Sequence, residues 1–451
     1  MASIRDHLRR EGVSRKVYIQ TFGCQMNEYD TDKMFEVLRG EDYQEALSPE
    51  EADLILLNTC SVREKAEQKV YSQLGRLRGL KKKNPGLKIG VGGCVAQQEG
   101  TRILKRARNV DFVFGTDTLF ELPEMLRETE LGRKTVRIGR RSQGRKVYNF
   151  IPDFHSSPRV HSIKVHLAIT KGCDNFCSFC IVPITRGREI SRSPKNILNE
   201  ARQLIEGGAK EICLLGQNVN SYRSEGTDFV QLLRELNELE GLKRIRFTSP
   251  HPKDFNEKLA GAMHDLMKVC EQLHLPLQSG SNRILKRMRR WYTVEAYLEK
   301  VDLFRKRMPD GTISTDLIVG FPGESEKDFA ETLKMLEEVR YDQIYAFKYS
   351  VRPGTRAAEY ADQLDEEVKS ERLATLLEVH EGILKEKQQQ MVGTRQEILV
   401  EGNHPREPEY LRGRTGGNYP VSARGPKMPA GTLMTVRITG FRKYLLEAEI
   451  D

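Results

Sequence analysis

The cysteines are the residues with chemistry to offer. Eight occur in 451 residues, too sparse for a disulfide framework, and six of them fall into two patterns. Cys173-Asp174-Asn175-Phe176-Cys177-Ser178-Phe179-Cys180 reads C-x3-C-x2-C, directly after a strand-like stretch. A 4Fe-4S cluster ordinarily takes four cysteines. Three thiolates hold three of its irons and leave the fourth open to a small molecule. Their close spacing keeps the loop-closure cost of gathering them low. The alternative is a zinc knuckle completed by a histidine such as His166, but zinc usually takes paired C-x2-C spacing. Cys24, Cys60 and Cys94 are far apart in the chain, and each directly follows an apolar run: VYIQTFG, LILLNT and IGVGG. Taken singly, each reads as a buried structural thiol. Three at repeated strand ends read as one site, because parallel strands deliver their carboxyl ends to the same edge of a sheet, where α/β folds place ligands. Gly92 and Gly93 are expected to let backbone approach a bulky cluster. The remaining two, Cys213 and Cys270, read as buried thiols, one within a strand and one at a helix end.

The elements that must position these thiols form three segments. Residues 1–150 alternate strands (16–21, 53–58, 87–92, 110–114) with helices (30–39, 63–80), which implies a parallel sheet flanked by helices. Residues 131–150 carry seven Lys/Arg and no acid, and read as an exposed basic connector. Residues 151–392 contain six further strands (164–170, 211–216, 244–249, 273–277, 313–320, 343–350), with helices such as 196–205, 295–308 and 327–339 between several of them. A closed eight-stranded barrel takes about 250 residues, so this count predicts an incomplete (β/α)6 barrel with its chemistry at the carboxyl ends of the strands. A long charged helix, 366–391, leads out of it. Residues 393–451 alternate as β (396–401, 433–438, 444–450) with Gly, Pro and Asn between, which suits a small OB-like β-barrel of the kind used on nucleic acid. This segment carries nine Lys/Arg against seven Asp/Glu, so its fold argues for RNA better than its charge does.

Composition narrows the class. With 38% hydrophobic and 30% charged residues the chain can bury a core, and a net charge of +9 permits a polyanionic partner. The apolar runs are far short of the roughly 18 residues a membrane span needs, and the first fifteen residues have no apolar signal region, so a cytoplasmic location is the expectation. One basic stretch is Arg133, Lys134, Arg137, Arg140, Arg141, Arg145 and Lys146. A second is Arg283, Lys286, Arg287, Arg289 and Arg290, followed by Trp291 and Tyr292. Cations beside aromatics suit phosphates and an unstacked base; the plainer reading is a basic linker and a solvated helix face.

The C-x3-C-x2-C loop with Phe179 before its last cysteine resembles the radical S-adenosylmethionine (SAM) superfamily. The two cysteine sets in this order, with a small β domain at the end, resemble the methylthiotransferase family over nearly the whole chain, and the last segment resembles the TRAM module. Gly23-Cys24-Gln25-Met26-Asn27-Glu28-Tyr29-Asp30 and Asn58-Thr59-Cys60-Ser61-Val62-Arg63-Glu64-Lys65-Ala66 are similar to the MiaB branch. So are the stretches 214–220 (LLGQNVN), 275–281 (LPLQSGS), 320–324 (GFPGE) and 352–355 (RPGT). The superfamily's G-x-I-x-G-x-x-E motif is departed from: Asp316 stands at its first position and Glu324 is displaced by one, so no adenine contact is assigned from it.

The resemblance implies that Cys173, Cys177 and Cys180 ligate the SAM-cleaving cluster. It implies that Cys24, Cys60 and Cys94 ligate an auxiliary 4Fe-4S cluster carrying the sulfur to be transferred. The implied reaction is methylthiolation of C2 of N(6)-isopentenyladenosine next to the anticodon of tRNA, with two SAM per turnover. The implied partners are the tRNA anticodon stem-loop and an electron donor such as flavodoxin or ferredoxin, with the enzyme a monomer. Gln217, Asn218, Ser249 and Gln278, after successive barrel strands, and Asp316, within the fifth, are candidate SAM contacts; each could equally be a turn or cap residue. The competing readings are a non-catalytic iron–sulfur RNA-binding protein, and sister enzymes acting on a ribosomal-protein aspartate or on threonylcarbamoyl adenosine.

Overall fold

The computed structural model describes residues 14–61, 66–139 and 160–450. Val62–Lys65 of the second family-like motif and Arg140, Arg141, Arg145 and Lys146 of the basic stretch lie outside them. The chain divides into two compact units. The first comprises 14–139 with 171–173 and 181–192, and the second 160–170, 174–180 and 193–450.

The first unit is built on six strands: β1 (Arg15–Thr21), β2 (Tyr43–Glu45), β3 (Leu54–Thr59), β4 (Lys88–Gly93), β5 (Phe112–Phe114) and β6 (Thr135–Arg137). They form one parallel sheet in the order β2-β1-β3-β4-β5-β6. All six residues of β3 are buried, as a central strand covered on both faces requires. Ile55 and Leu57 pack with Val70, Leu74 and Leu77 of helix Ala66–Lys83 on one side. Leu54 and Leu56 pack on the other with Met34, Phe35 and Leu38 of helix Gln25–Arg39 and with Met125 of helix Leu122–Glu130. The sequence reading missed β2 and β6. The expected basic connector begins instead with β6, a strand of this sheet.

In the second unit β7 (Lys164–Ala168) opens the chain. The short β8 (Thr170–Lys171) and β9 (Ile190–Ser191), the latter counted with the first unit, flank the cysteine loop in sequence. Then come β10 (Glu211–Leu215), the hairpin β11 (Arg223–Ser224) and β12 (Thr227–Asp228), β13 (Arg244–Phe247), β14 (Gln272–His274), β15 (Thr312–Val319) and β16 (Gln343–Lys348). Two parallel sheets result, β7-β10-β13 and β14-β15-β16. They join where Ile245 pairs with Val269 just before β14, with the Cys270 N–H donating to the Ile245 carbonyl at 3.0 Å. The six expected strands are thus present in order. Among the described residues β16 does not pair back to β7, so the barrel is incomplete as predicted. Helices alternate with the strands and start at side-chain caps: Ser193, Asp228, Asn256 and Thr293 each accept a backbone N–H of the first turn, and Ser325 forms a capping box with Asp328.

Helix Glu366–Met391 packs Leu376 and Ile383 into the barrel core and Leu384 into the core of the last module. That module is a closed five-stranded barrel of β17 (Arg395–Asn403), β18 (Tyr410–Thr415), β19 (Pro420–Arg424), β20 (Leu433–Arg442) and β21 (Leu445–Ile450), in the order β17-β18-β19-β21-β20. Its β18–β19 turn docks at the amino ends of the partial-barrel strands. Arg246 donates to the carbonyls of Thr415 (2.9 Å) and Gly416 (2.7 Å), Arg244 to that of Arg414 (2.7 Å), and Thr312 to that of Gly417 (2.9 Å). No described helix is long and apolar enough to cross a membrane.

Candidate functional site

Cys24, Cys60 and Cys94 follow β1, β3 and β4, which are immediate neighbours in the sheet. The register makes the strand ends level: Thr21 pairs with Asn58, Asn58 with Gly92, and Thr59 with Gly93. Three residues past Thr21 and two past Asn58 and Gly92 stand the three cysteines. Sheet geometry alone therefore presents all three on one edge. Cys24 is the N-cap of helix Gln25–Arg39 and Cys94 the first residue of helix Cys94–Glu99, so both stand at the positive end of a helix dipole.

The polypeptide around them is fixed by buried amides. The Asn58 side chain donates to the Asn27 carbonyl (2.8 Å) and to Thr31 Oγ1 (3.0 Å), and Asn27 donates to Asn58 Oδ1 (3.0 Å) and to the Thr59 carbonyl (2.9 Å). Gly23 has φ +121°, and a Cβ there would fall 2.1 Å from Cys60 Cβ and 2.7 Å from its sulfur. Gly23 is thus what lets the first cysteine turn pass beside the second. The role expected of Gly92 is different: its missing side chain makes room for the Phe114 ring, and that of Gly93 for the Thr59 carbonyl.

A buried ion pair faces these thiols. The Arg186 guanidinium is 2.7 Å from Asp30, both almost fully enclosed. Burial opposes the arginine's charge, yet Asp30, Cys94 and Cys24 together hold it above its ordinary range. The thiol of Cys24 is lowered to about 6 by its hydrogen bond with Cys60, by Arg186 and by the Asn27 N–H, against burial and Asp30, which raise it. Lys171, also buried, pairs with Asp117. The set therefore combines three thiols, one of them readily ionised, with a fixed cation. Among the described residues no three His, Cys, Asp or Glu side chains converge on a point that a single metal ion would fill. A cubane cluster spreads its thiolates over separate irons instead, and the donor chemistry and the Gly23 cradle fit such a group. Cys24, Cys60 and Cys94 could hold it.

The C-x3-C-x2-C loop is anchored from both ends. Cys173, in the first unit, donates its N–H to the Gly187 carbonyl (3.2 Å). In the second unit the Cys180 N–H donates to the Cys177 carbonyl (3.0 Å), closing a tight turn after Phe176, whose φ is +47°. Ser178 donates its N–H to the Met288 carbonyl (3.0 Å) and its hydroxyl to that of Arg287 (2.8 Å), and the Ala357 N–H donates to the Ser178 carbonyl (2.8 Å). Phe179 meets Phe321 edge to face at 6.5 Å. By its spacing in the sequence the loop could hold a cluster by three thiolates. His166, the zinc alternative, is instead on β7 level with Cys213. Cys213 and Cys270 are buried, and burial pushes the Cys213 thiol up to about 12. Cys270 is not at a helix end but in the segment bridging β13 to β14.

Of the candidate SAM contacts, Gln217 and Asn218 follow β10, Ser249 follows β13, and Gln278 lies just beyond β14, next to β15. Asn218 is buried and donates to Asp254 (3.0 Å). Ser249 and Gln278 take left-handed backbone, φ +61° and +72°, and the Gln278 N–H donates to the Asp316 carbonyl (2.8 Å). Asp316 is mid-strand on β15, 3.5 Å from His274 Nε2, whose ring meets Tyr345 at 5.7 Å. On β16, Ile344 and Ala346 pack into the core and Lys348 reaches Glu366 on the outer helix. Tyr345, His274 and Asp316 therefore face the barrel interior. Glu324 is occupied structurally: it accepts from the Gly320 N–H (2.8 Å) and from Arg372 (2.7 Å).

The basic stretches need revision as phosphate surfaces. Arg137 is neutralised by Glu121, Glu124 and Glu128. Arg283 pairs with Asp328 and Arg287 with Asp362. Arg290 turns inward, donating to Tyr292 (3.0 Å), the Pro276 carbonyl (3.3 Å) and Cys177 Sγ (3.4 Å). Lys286 and Trp291 remain exposed, the latter at 60%, with Arg289 over its ring. Sequence reasoning missed Asp30, Lys171 and Arg186 as site residues. A lone arginine inside the run IVPITRG was the available signal.

Two family models match parts of the chain. Residues 16–115 match the family described as "Uncharacterized protein family UPF0004", and residues 167–336 match the Radical SAM superfamily. Among solved structures, the radical S-adenosylmethionine methyltransferase TsrM from Kitasatospora setae superposes with a TM-score of 0.58 at 14% identity, over 76% of this chain and 75% of that one. The cobalamin-dependent S-adenosylmethionine radical enzyme OxsB gives 0.53 at 15%, over 81% and 57%. At such identities these likenesses show the fold alone.

Fold, cysteine loop and superfamily match define a radical SAM enzyme. Curated relatives named tRNA-2-methylthio-N(6)-dimethylallyladenosine synthase are 46% identical in Bdellovibrio bacteriovorus (95% of this chain, 94% of that one), 47% in Geobacter metallireducens (95% and 97%) and 45% in Neisseria meningitidis serogroup B (97% and 99%). The chain belongs to the family of tRNA-2-methylthio-N(6)-dimethylallyladenosine synthases.

Proposed function

We propose that this protein methylthiolates C2 of N(6)-isopentenyladenosine beside the anticodon of tRNA, using two SAM per turnover. The observation that carries the reading is the level placement of Cys24, Cys60 and Cys94 on three adjacent parallel strands of a chain that also holds the C-x3-C-x2-C loop. When bound, a cluster on the loop supplies the electron that splits SAM, and one on the sheet edge supplies sulfur. The chain's own part is positional. Asn27 and Asn58 lock the strand ends, Arg186 and Asp30 set the charge beside the thiols, and Ser178 pins the loop between the Arg287 and Met288 carbonyls. Gln217, Asn218, Ser249, Gln278 and Asp316, at or near the strand ends, are the proposed SAM contacts. The closed β-barrel module and the exposed Trp291 and Lys286 offer stacking and charge for an anticodon loop, whose bases are already partly unstacked. A flavodoxin- or ferredoxin-type electron donor, a monomeric state and a cytoplasmic location complete the proposal.

The test is anaerobic incubation of reconstituted, reduced protein with SAM and tRNA carrying isopentenyladenosine, followed by nucleoside mass spectrometry. The reading expects 5′-deoxyadenosine together with a methylthio adduct on the prenylated adenosine. SAM cleavage with no adduct would overturn it, and the absence of both would favour a non-catalytic RNA-binding protein.

A further inference from the structure

Three arginines of one short segment, Arg283, Arg287 and Arg290, are treated differently by the fold. The first two are neutralised by carboxylates, Asp328 and Asp362. Among the described residues Arg290 has no carboxylate within ion-pair distance; its partners are a phenol, a carbonyl and the sulfur of Cys177 at 3.4 Å. A part-buried cation is costly without an anion beside it. Of these three partners, the Cys177 sulfur is the one that a cluster would hold as a thiolate. Tyr292 holds the guanidinium from its other side and is itself tied to the carbonyls of Pro276 and Leu277, both 2.9 Å away, so the N–H aimed at sulfur is fixed in direction.

We propose that Arg290 is the charge partner of the SAM-cleaving cluster, raising its reduction potential by donating a hydrogen bond to the Cys177 ligand. This rests on the reading that Cys173, Cys177 and Cys180 hold a 4Fe-4S cluster. The argument is electrostatic. A cubane of charge +2 on three thiolates carries −1, and one electron from an external donor makes it −2. A fixed cation and an N–H···S bond favour the more negative form, and hydrogen bonds to cluster sulfurs are among the factors that set such potentials. Arg290 is thus a positioning residue acting through the cluster, and it is unavailable to tRNA phosphates.

The experiment is an EPR-monitored redox titration of the reconstituted full-length chain, in a background with Cys24, Cys60 and Cys94 changed to Ala so that one cluster reports. Iron content is measured alongside. Arg290→Gln is expected to hold about four iron and to lower the reduced-to-oxidised ratio at fixed potential about tenfold, a downward shift of about 59 mV for one electron. Arg290→Lys is expected to keep most of the original potential. A full iron complement with an unchanged midpoint in Arg290→Gln would overturn the proposal. If Arg290→Gln fails to hold iron, Tyr292→Phe decides: it leaves Cys177 untouched, so a smaller downward shift supports the proposal and no shift refutes it. Absence of a cluster in the background protein itself would refute the underlying cysteine assignment instead.

Discussion

Gly23 offers the sharpest perturbation of the sheet-edge site. Its φ of +121° is in a region that residues with a Cβ rarely enter, and forcing one there costs about 1–3 kcal/mol. The added carbon would also sit 2.1 Å from Cys60 Cβ and 2.7 Å from its sulfur, so Cys60 must move, and overpacking of this kind costs about 1–3 kcal/mol more. Gly23→Ala is therefore expected to destabilise the first unit by roughly 2–6 kcal/mol, a large share of a typical 5–15 kcal/mol. Its melting transition should fall by roughly 5–20 °C, at about 2–4 °C per kcal/mol. Because the displaced group is a candidate ligand, iron per chain should fall from about eight to about four. Gly132 supplies the control: its φ is +74°, but nothing lies within 4 Å of an added Cβ. Gly132→Ala should cost only about 1–2 kcal/mol and leave iron unchanged. Full iron in Gly23→Ala, or equal losses in both variants, would refute the reasoning.

Other outcomes follow from the same geometry. Arg246→Ala removes the clamp on the β18–β19 turn and takes away the guanidinium 3.0 Å from buried Glu211. It should cost about 3–5 kcal/mol and expose the chain near residues 391–395 to limited proteolysis, while conservative Arg246→Lys should recover only part. His251 and His166 are held uncharged, at about 2 and about 4, by burial first and then by neighbouring cations. Since the unfolded chain takes up these protons near pH 6.5 and the folded chain does not, stability is complete above that pH. It should decline by up to about 2 kcal/mol per imidazole by pH 5, read from urea midpoints at pH 7 and pH 5. Trp291→Ala should weaken tRNA binding by about 1–3 kcal/mol at any salt, whereas Lys286→Gln should flatten the salt dependence of binding by roughly one phosphate's worth. A salt-independent affinity in the parent chain would contradict a polyelectrolyte interface.

Much of this architecture was legible because its signals are local. LILLNT reads as a strand buried on both faces, and the cysteine after it marks the strand's carboxyl end. The same step at Cys24 and Cys94 brings three distant residues to one edge. The six barrel strands and the long exit helix were readable for similar reasons. Strands β2 and β6 were not, because YQE and TVR each carry a single apolar residue where the equally short β5 is FVF, and neither were β18 and β19, whose LRGRTGGNYPVSAR stretch reads as turn until closure of the barrel supplies its partners. The electrostatics were the least legible part. Asp30 and Arg186 meet across 156 positions and Arg290 and Cys177 across 113, so a basic stretch that looked like one surface divides into two arginines paired with acids, one turned toward a cysteine, and a remainder facing solvent. Gly92 was expected to let backbone approach a cluster, and the group it accommodates is the Phe114 ring.

Sulfur transfer requires that the level cysteines of β1, β3 and β4 hold a second cluster. The direct measurement is iron and acid-labile sulfide per chain after anaerobic reconstitution, for the parent protein and for the variant with Cys24, Cys60 and Cys94 all changed to Ala. Two clusters predict about eight iron in the first and about four in the second. About four in both would contradict the account and leave a one-cluster radical SAM protein with no sulfur source on its sheet edge.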